Sequence, residues 1–357
     1  MLFRTLSTRY ARRALAVGAA LILTIVGVGP WARAQDRAEL SSQAKQIFGT
    51  PPAEAASASN PVTEPKIELG RKLYYDARLS KNHDVSCNSC HALSEFGVDG
   101  EPTSKGHRGQ RGGRNSPTVY NAAFHIAQFW DGRAPDVEEQ AKGPPLNPIE
   151  MAMPSEQAIE TVLQSIPDYG PLFRAAFPDE EGPITYDQMA RAIGAFERRL
   201  VTPSSFDRFQ SGELDALSEA EVKGLGLFID TGCITCHNGP VLGGAMYQKL
   251  GLVHPYPTED LGRYDVTKSE ADRYVFKVPS LRNIAKTGPY FHDGKILTLE
   301  EVVVLMAHHQ LGRELPEADV NAIVAFLGSL TGAIDTEYIA MPELPASGPS
   351  TPAPDPN

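Results

Sequence analysis

Beyond the first thirty or so residues, apolar positions recur at three- and four-residue spacing, and alternating apolar–polar runs that would mark strands are scarce. Two segments share one pattern, G-x-x-L-aromatic-x-D: Gly70-Arg71-Lys72-Leu73-Tyr74-Tyr75-Asp76 and Gly224-Leu225-Gly226-Leu227-Phe228-Ile229-Asp230. A second echo follows each, Ala192-Ile193-Gly194-Ala195-Phe196 and Ala322-Ile323-Val324-Ala325-Phe326. Ser218 with Glu221 and Thr298 with Glu301 have the spacing of capping boxes, and Gly312 suits the end of the helix that Thr298 opens. The pattern predicts a mainly α fold built from two tandem units of helix, intervening loops and helix. Chance similarity of amphipathic helices is the competing explanation for these echoes alone. The first unit is expected over residues 35–201 and the second over 202–335, with Thr202-Pro203-Ser204-Ser205 as linker. The proline-rich tail, residues 336–357, lacks apolar periodicity and is expected to be partly disordered.

All four cysteines fall in two pentapeptides, Cys87-Asn88-Ser89-Cys90-His91 and Cys233-Ile234-Thr235-Cys236-His237. C-x-x-C-H is the attachment signature of a c-type haem: two thiols on one turn add to the macrocycle, and the next histidine ligates its iron from the same side. A four-cysteine zinc site would need no histidine after both pairs, and no cysteine remains for other disulfide pairing. The paired motifs also strengthen the repeat. Each unit then reads as a cytochrome c-like domain, with terminal helices that cross and one covalent haem in its core.

The N-terminus suits haem attachment outside the cytoplasm. Arg4, Arg9, Arg12 and Arg13 precede an apolar run from Ala14 to Val28, and Ala32-Arg33-Ala34 offers a cleavage site. Residues 1–34 read as a signal peptide and the protein as periplasmic, with an uncleaved anchor as the alternative. The formal charge of −11 becomes more negative without that segment, which carries five arginines and no acid. This excludes a nucleic-acid partner and is compatible with a soluble, basic redox partner.

The two units differ in what they offer the far face of a haem. In the second, Met306 lies on a helix well downstream of His237, and Met246 competes for the same role; His/Met ligation suits electron transfer. In the first, His107 sits in the glycine-rich run Ser104–Arg114, where large backbone changes cost little, so it suits a ligand that leaves. Trp130, the sole tryptophan after Trp31, reads either as core or as a bridge for electrons. Glu150 reads either as a surface residue or, in a dry pocket, as an acid–base group.

Together these segments closely resemble the bacterial di-haem cytochrome c peroxidase family. The resemblance runs in order through CNSCH, the His107 loop, RNSPTVYNAAF (114–124), QFWDGRA (128–134), EEQAKGP (138–144), LNPIEM (146–151), CITCHNGP (233–240), VPSLRNIAKTGPYFHDG (278–294) and MAHHQLG (306–312). It implies a low-potential peroxidatic haem on Cys87, Cys90 and His91, capped at rest by His107, and a high-potential haem on Cys233, Cys236 and His237 with Met306. Trp130 would lie between them, and Glu150 and Gln140 would line the peroxide pocket. The resemblance further implies a calcium ion at Asn115, Thr287 and Pro289, a position for His292 beside the second haem, and a homodimer. The expected activity is reduction of hydrogen peroxide with electrons from a small soluble cytochrome c or a cupredoxin. Two rivals stand beside it. One is a non-enzymatic carrier with two six-coordinate haems; the other is a relative that oxidises tryptophans in methylamine dehydrogenase, where a tyrosine replaces the Met306 ligand.

Overall fold

The computed structural model describes residues 30–357, so the basic and apolar run read as a leader lies outside the described residues. Among those described, no helix is long and apolar enough to cross a membrane. The chain is mainly helical as expected, at 43% helix and 5% strand.

Six longer helices organise it: α1 (Pro30–Ile47), α2 (Glu64–Tyr75), α3 (Tyr186–Glu197), α4 (Glu219–Thr231), α5 (Leu299–Leu311) and α6 (Glu317–Gly328). Their ends follow local chemistry. Thr63 accepts from Lys66 N–H to open α2, and reciprocal boxes of Thr185 with Gln188 and Ser218 with Glu221 open α3 and α4. Thr298 accepts from Glu301 N–H to open α5, and Gly312, in the left-handed region, ends it. The only sheet among the described residues is an antiparallel pair, β1 (Tyr247–Lys249) with β2 (Val275–Lys277), which sets Tyr247 opposite Lys277.

The repeated sequence patterns are two equivalent helix crossings. Where α2 crosses α3, a Cβ on Gly70 would fall on the Ala192 carbonyl and lie 2.9 Å from Phe196 Cβ. Where α4 crosses α6, a Cβ on Gly224 would fall on the Ala322 carbonyl and lie 2.9 Å from Phe326 Cβ. The aromatic of each G-x-x-L-aromatic motif meets the phenylalanine of the partner helix: Tyr74 against Phe196 at 5.5 Å and Phe228 against Phe326 at 5.3 Å between ring centroids. Each crossing anchors its own apolar core, with Leu69, Leu73 and Ile193 in one and Leu225, Ile323 and Leu330 in the other.

The duplication extends into the loops. Gln128–Ala134 and Tyr290–Ile296 are both closed by a bridge between their end residues and turn through positive φ at Phe129 and Gly132, and at Phe291 and Gly294. Asn121 and Asn283, both left-handed, each donate a side-chain N–H to the hydroxyl of Thr202, at 3.0 and 2.9 Å.

Packing departs from the expected boundaries in three places. Thr202, read as part of a linker, is fully buried, because it satisfies both asparagines at once. Ala44 and Phe48, placed in the first unit by the boundary at 35, pack in the second core. The proline-rich tail is laid along the first unit. Tyr338 stacks on Phe196 at 5.1 Å, Lys72 Nζ donates to the Glu343 carbonyl at 2.8 Å and Arg78 to that of Pro345 at 2.8 Å. Extended, proline-rich backbone has free carbonyls, and the basic face of α2 and its following turn supplies donors to them.

The crossings make a prediction within one helix. Gly224→Ala pushes a methyl into the α6 backbone and is expected to cost about 2–3 kcal/mol. Gly226→Ala, where a Cβ meets nothing within 4 Å, is expected to stabilise by about 0.5–1 kcal/mol. Thermal midpoints of the two variants should move in opposite directions.

Candidate active site: two clefts and a shared wall

The two C-x-x-C-H motifs line two different clefts. Cys87, Cys90 and His91 face the first; Cys233, Cys236 and His237 face the second. All four thiols are free, and among the described residues no three His, Cys, Asp or Glu side chains converge as a metal site. The two cysteine pairs line different clefts rather than one shared centre.

Each motif histidine is held in the same way. His91 Nδ1 lies 3.0 Å from the Pro117 carbonyl, and His237 Nδ1 lies 3.1 Å from that of Leu242. A bond from Nδ1–H to a carbonyl fixes the tautomer and leaves Nε2 as the free lone pair, the state an iron ligand needs. Burial lowers both imidazoles, His237 to about 4, which keeps that lone pair unprotonated.

The first cleft is polar on one wall. Glu150 and Gln140 line it, together with Asn147, which donates to Glu150 Oε1 at 2.8 Å. Desolvation raises the Glu150 carboxyl, while the Arg133 charge and the Asn147 amide pull against that rise. Arg133, which sequence reading passed over, is bonded to Asp131 at 3.0 and 3.1 Å and lies 3.4 Å over the Phe129 ring. Glu197 was missed as well; it faces this cleft from the end of α3, and burial pushes it up to about 8.

His107 is buried and is not among the residues lining the first cleft. Its backbone N–H donates to the Glu150 carbonyl at 2.7 Å, and Gly106 lies against the backbone of Ile149 and Glu150. The loop is thus docked onto the turn that carries Glu150. Met151, beside Glu150, does line this cleft.

The second cleft is mostly apolar. Met306, projecting from α5, lines it, whereas its competitor Met246 does not. Asn115, Thr287 and Pro289 share its wall, with His292, which is buried and bonded through Nε2 to the Thr258 hydroxyl at 2.9 Å. No Asp or Glu lines it. His125 and Lys277, also unread from sequence, face it as a pair 3.1 Å apart.

Between the clefts stands Trp130, which lines both, fixed by a bond from Nε1–H to the Asn115 carbonyl at 3.0 Å. Its counterpart in the duplicated loop is His292, and the two rings meet edge to face at 6.4 Å. Setting QFWDGRA beside YFHDGKI would have exposed this pairing in the sequence.

A family model described as di-haem cytochrome c peroxidase matches residues 64–215. The cytochrome c551 peroxidase of Pseudomonas aeruginosa is 47% identical over 322 residues, which cover 88% of this chain and 92% of that one. The chain belongs to the di-haem cytochrome c peroxidase family. A second peroxidase of this family, the cytochrome c551 peroxidase of Nitrosomonas europaea, is 49% identical over 304 residues, 84% of this chain and 90% of the other. Among solved structures, a MauG-like protein associated with microbial copper homeostasis superposes with a TM-score of 0.73 at 30% identity, covering 82% of this chain and 97% of that one. The chain is accordingly an enzyme with cytochrome c peroxidase activity, and haem is its cofactor. The clefts fit that group, since each presents two free thiols and one imidazole with its Nε2 unengaged.

Replacing Cys233 and Cys236 together by alanine is expected to leave one covalent haem in place of two. Intact mass and the haem-to-protein absorbance ratio would show it, and two retained haems would contradict the assignment of the second motif.

Proposed function

We propose that this chain is a periplasmic peroxidase that reduces hydrogen peroxide to two waters, consuming two electrons and two protons, with a small soluble cytochrome c or a cupredoxin as donor. The observation that carries the reading is the asymmetry of the clefts. The first brings a desolvated glutamate together with amide side chains; the second has Met306 and no acid. A carrier with two equivalent redox sites has no use for a proton-handling wall in one of them. A methionine at 306, where the tryptophan-oxidising relatives have tyrosine, also favours the peroxidase.

When bound, the two haems supply electron storage and the iron at which peroxide is cleaved. Cys87, Cys90 and His91 hold the first; Cys233, Cys236, His237 and Met306 hold the second. Glu150 accepts a proton from one peroxide oxygen and delivers it to the other, so that water is the leaving group. Gln140 orients the peroxide, and Asn147 keeps the Glu150 carboxyl aimed at it. Trp130 carries electrons across the wall it shares with both clefts. Asn115, Thr287 and Pro289, together on one wall, supply oxygens for calcium, a hard cation suited to amide and carbonyl donors. The His107 loop would have a second arrangement in which the imidazole caps the first cleft, and reduction of the enzyme would free His107 from it. Gly106, Gly109, Gly112 and Gly113 supply the backbone freedom that such a change requires.

The deciding experiment compares peroxide turnover by the fully oxidised enzyme with turnover after one-electron reduction in calcium, using a reduced small cytochrome c. Activity only after reduction is expected, and no activity in either state, with both haems attached, would return the protein to the electron carriers. His107→Gly is expected to be active without prior reduction. Glu150→Gln should lose at least about a hundredfold in kcat with both haems retained.

The pH dependence has a definite sign. Glu150 must be ionised to accept its proton, so kcat/KM falls as pH drops through its raised pKa. Arg133→Gln removes a charge that stabilises the carboxylate, so the acidic limb is expected to move up by about one pH unit. An unmoved limb would separate Arg133 from the acid–base group.

A further inference from the structure

The second cleft contains one lysine, and among the described residues no carboxylate pairs with it. Lys277 ends β2, is 7% exposed, and is the only lysine or arginine among the lining residues. Its Nζ has one polar neighbour among the described residues, His125 Nδ1 at 3.1 Å, and no carboxylate within ion-pair distance. His125 is no better satisfied, since its Nε2 is buried with no hydrogen-bond partner. Most of the remaining lining is apolar, including Leu250, Val278, Leu281 and Val302. A buried ammonium without a counter-charge costs several kcal/mol, and folding alone gives no return for placing it here.

We propose that Lys277 and His125 form an anion-binding end of this cleft and receive a carboxylate of the macrocycle held by Cys233, Cys236 and His237. The inference rests on the reading of this cleft as the second haem site. The chemistry is matched: a haem carries two carboxylates on an otherwise apolar disc, and the cleft offers one cation against otherwise mostly apolar walls. Burial depresses both groups, Lys277 to about 8 and His125 well below its ordinary value, and an arriving anion opposes that shift. The placement also ties the pair to the electron path. Lys277 N–H donates to the Trp130 carbonyl at 2.8 Å, so the residue that sets the charge beside the second haem is bonded to the residue that bridges the clefts. His125 packs against Gly244, where a Cβ would collide with its imidazole. Lys277 is therefore a positioning and potential-setting residue rather than a catalytic one.

The test is a potentiometric titration of the intact di-haem enzyme, followed optically at the high-potential haem. Lys277→Met removes a positive charge that favours the reduced, less positive iron. The reduction equilibrium at fixed potential is expected to fall about tenfold, which is 59 mV for one electron. Lys277→Arg, which keeps the charge, is expected to titrate like the parent, and Lys277→Gln reads the same charge loss should the methionine variant fail to assemble. An unchanged midpoint in the charge-loss variants overturns the proposal, as does an equal shift in the arginine variant, which would mean packing rather than charge. Peptide mass around Cys233 and Cys236 in the parent enzyme keeps the two levels apart. A missing haem there would refute the cleft assignment itself, whereas haem present with an unmoved midpoint refutes only the role of Lys277 and His125.

Discussion

Two helix crossings at backbone contact are the constraint on which the rest of the structure depends. At each, a glycine lets one helix rest on a carbonyl of the other, and no side chain larger than hydrogen could be accommodated without parting them. The consequence is a fixed distance between the helix that precedes each C-x-x-C-H motif and the helix that closes the unit. The motif then hangs from a rigid frame rather than a flexible loop. Close backbone contact at each crossing helps place two thiols and an imidazole for three bonds to one flat group. Thr202 extends the same rigidity between units, since its single hydroxyl accepts from an asparagine on either side.

On this symmetrical frame the chemistry is unsymmetrical, and the differences are few. Trp130 and His292 occupy matching turns, yet one spans both clefts and the other closes a wall of only the second. Glu150 has no acidic counterpart in the second cleft, and Lys277 is the one lysine or arginine lining it. A duplicated scaffold can thus hold two copies of one cofactor under different electrostatics. Desolvation governs the result in both places: it raises an acid in the first cleft and depresses two bases in the second.

Much of this was legible in the sequence, and the reasons are local. Haem attachment is written as a contiguous pentapeptide, and capping as a four-residue spacing, so Cys87, Cys236, Ser218 and Thr298 could be read directly. Position downstream of His237 does not separate Met306 from Met246; the resemblance through MAHHQLG favoured Met306, and in the structure only Met306 lines the second cleft. Arg133, Glu197, His125 and Lys277 were missed. Their significance lies in burial and in partners up to about 150 residues away, as in the His125–Lys277 pair. The tail was misread because proline-rich composition signals the absence of a helix or core, not the absence of donors waiting on α2 for its carbonyls.

The ends of the chain are exchanged across the molecule. Phe48, ahead of the first motif, is buried against Phe206 and Phe228 in the second half, while Tyr338 and the tail, after the second motif, cover Phe196 in the first. Each half is therefore completed by sequence that lies beyond the other. A gene divided at Thr202 would not encode two minimal cytochromes; each product would lack part of its own wrapping and carry an orphaned strip meant for its neighbour. The repeat is twofold in pattern, but the packing makes one body of it, because each core is closed by sequence from beyond the other.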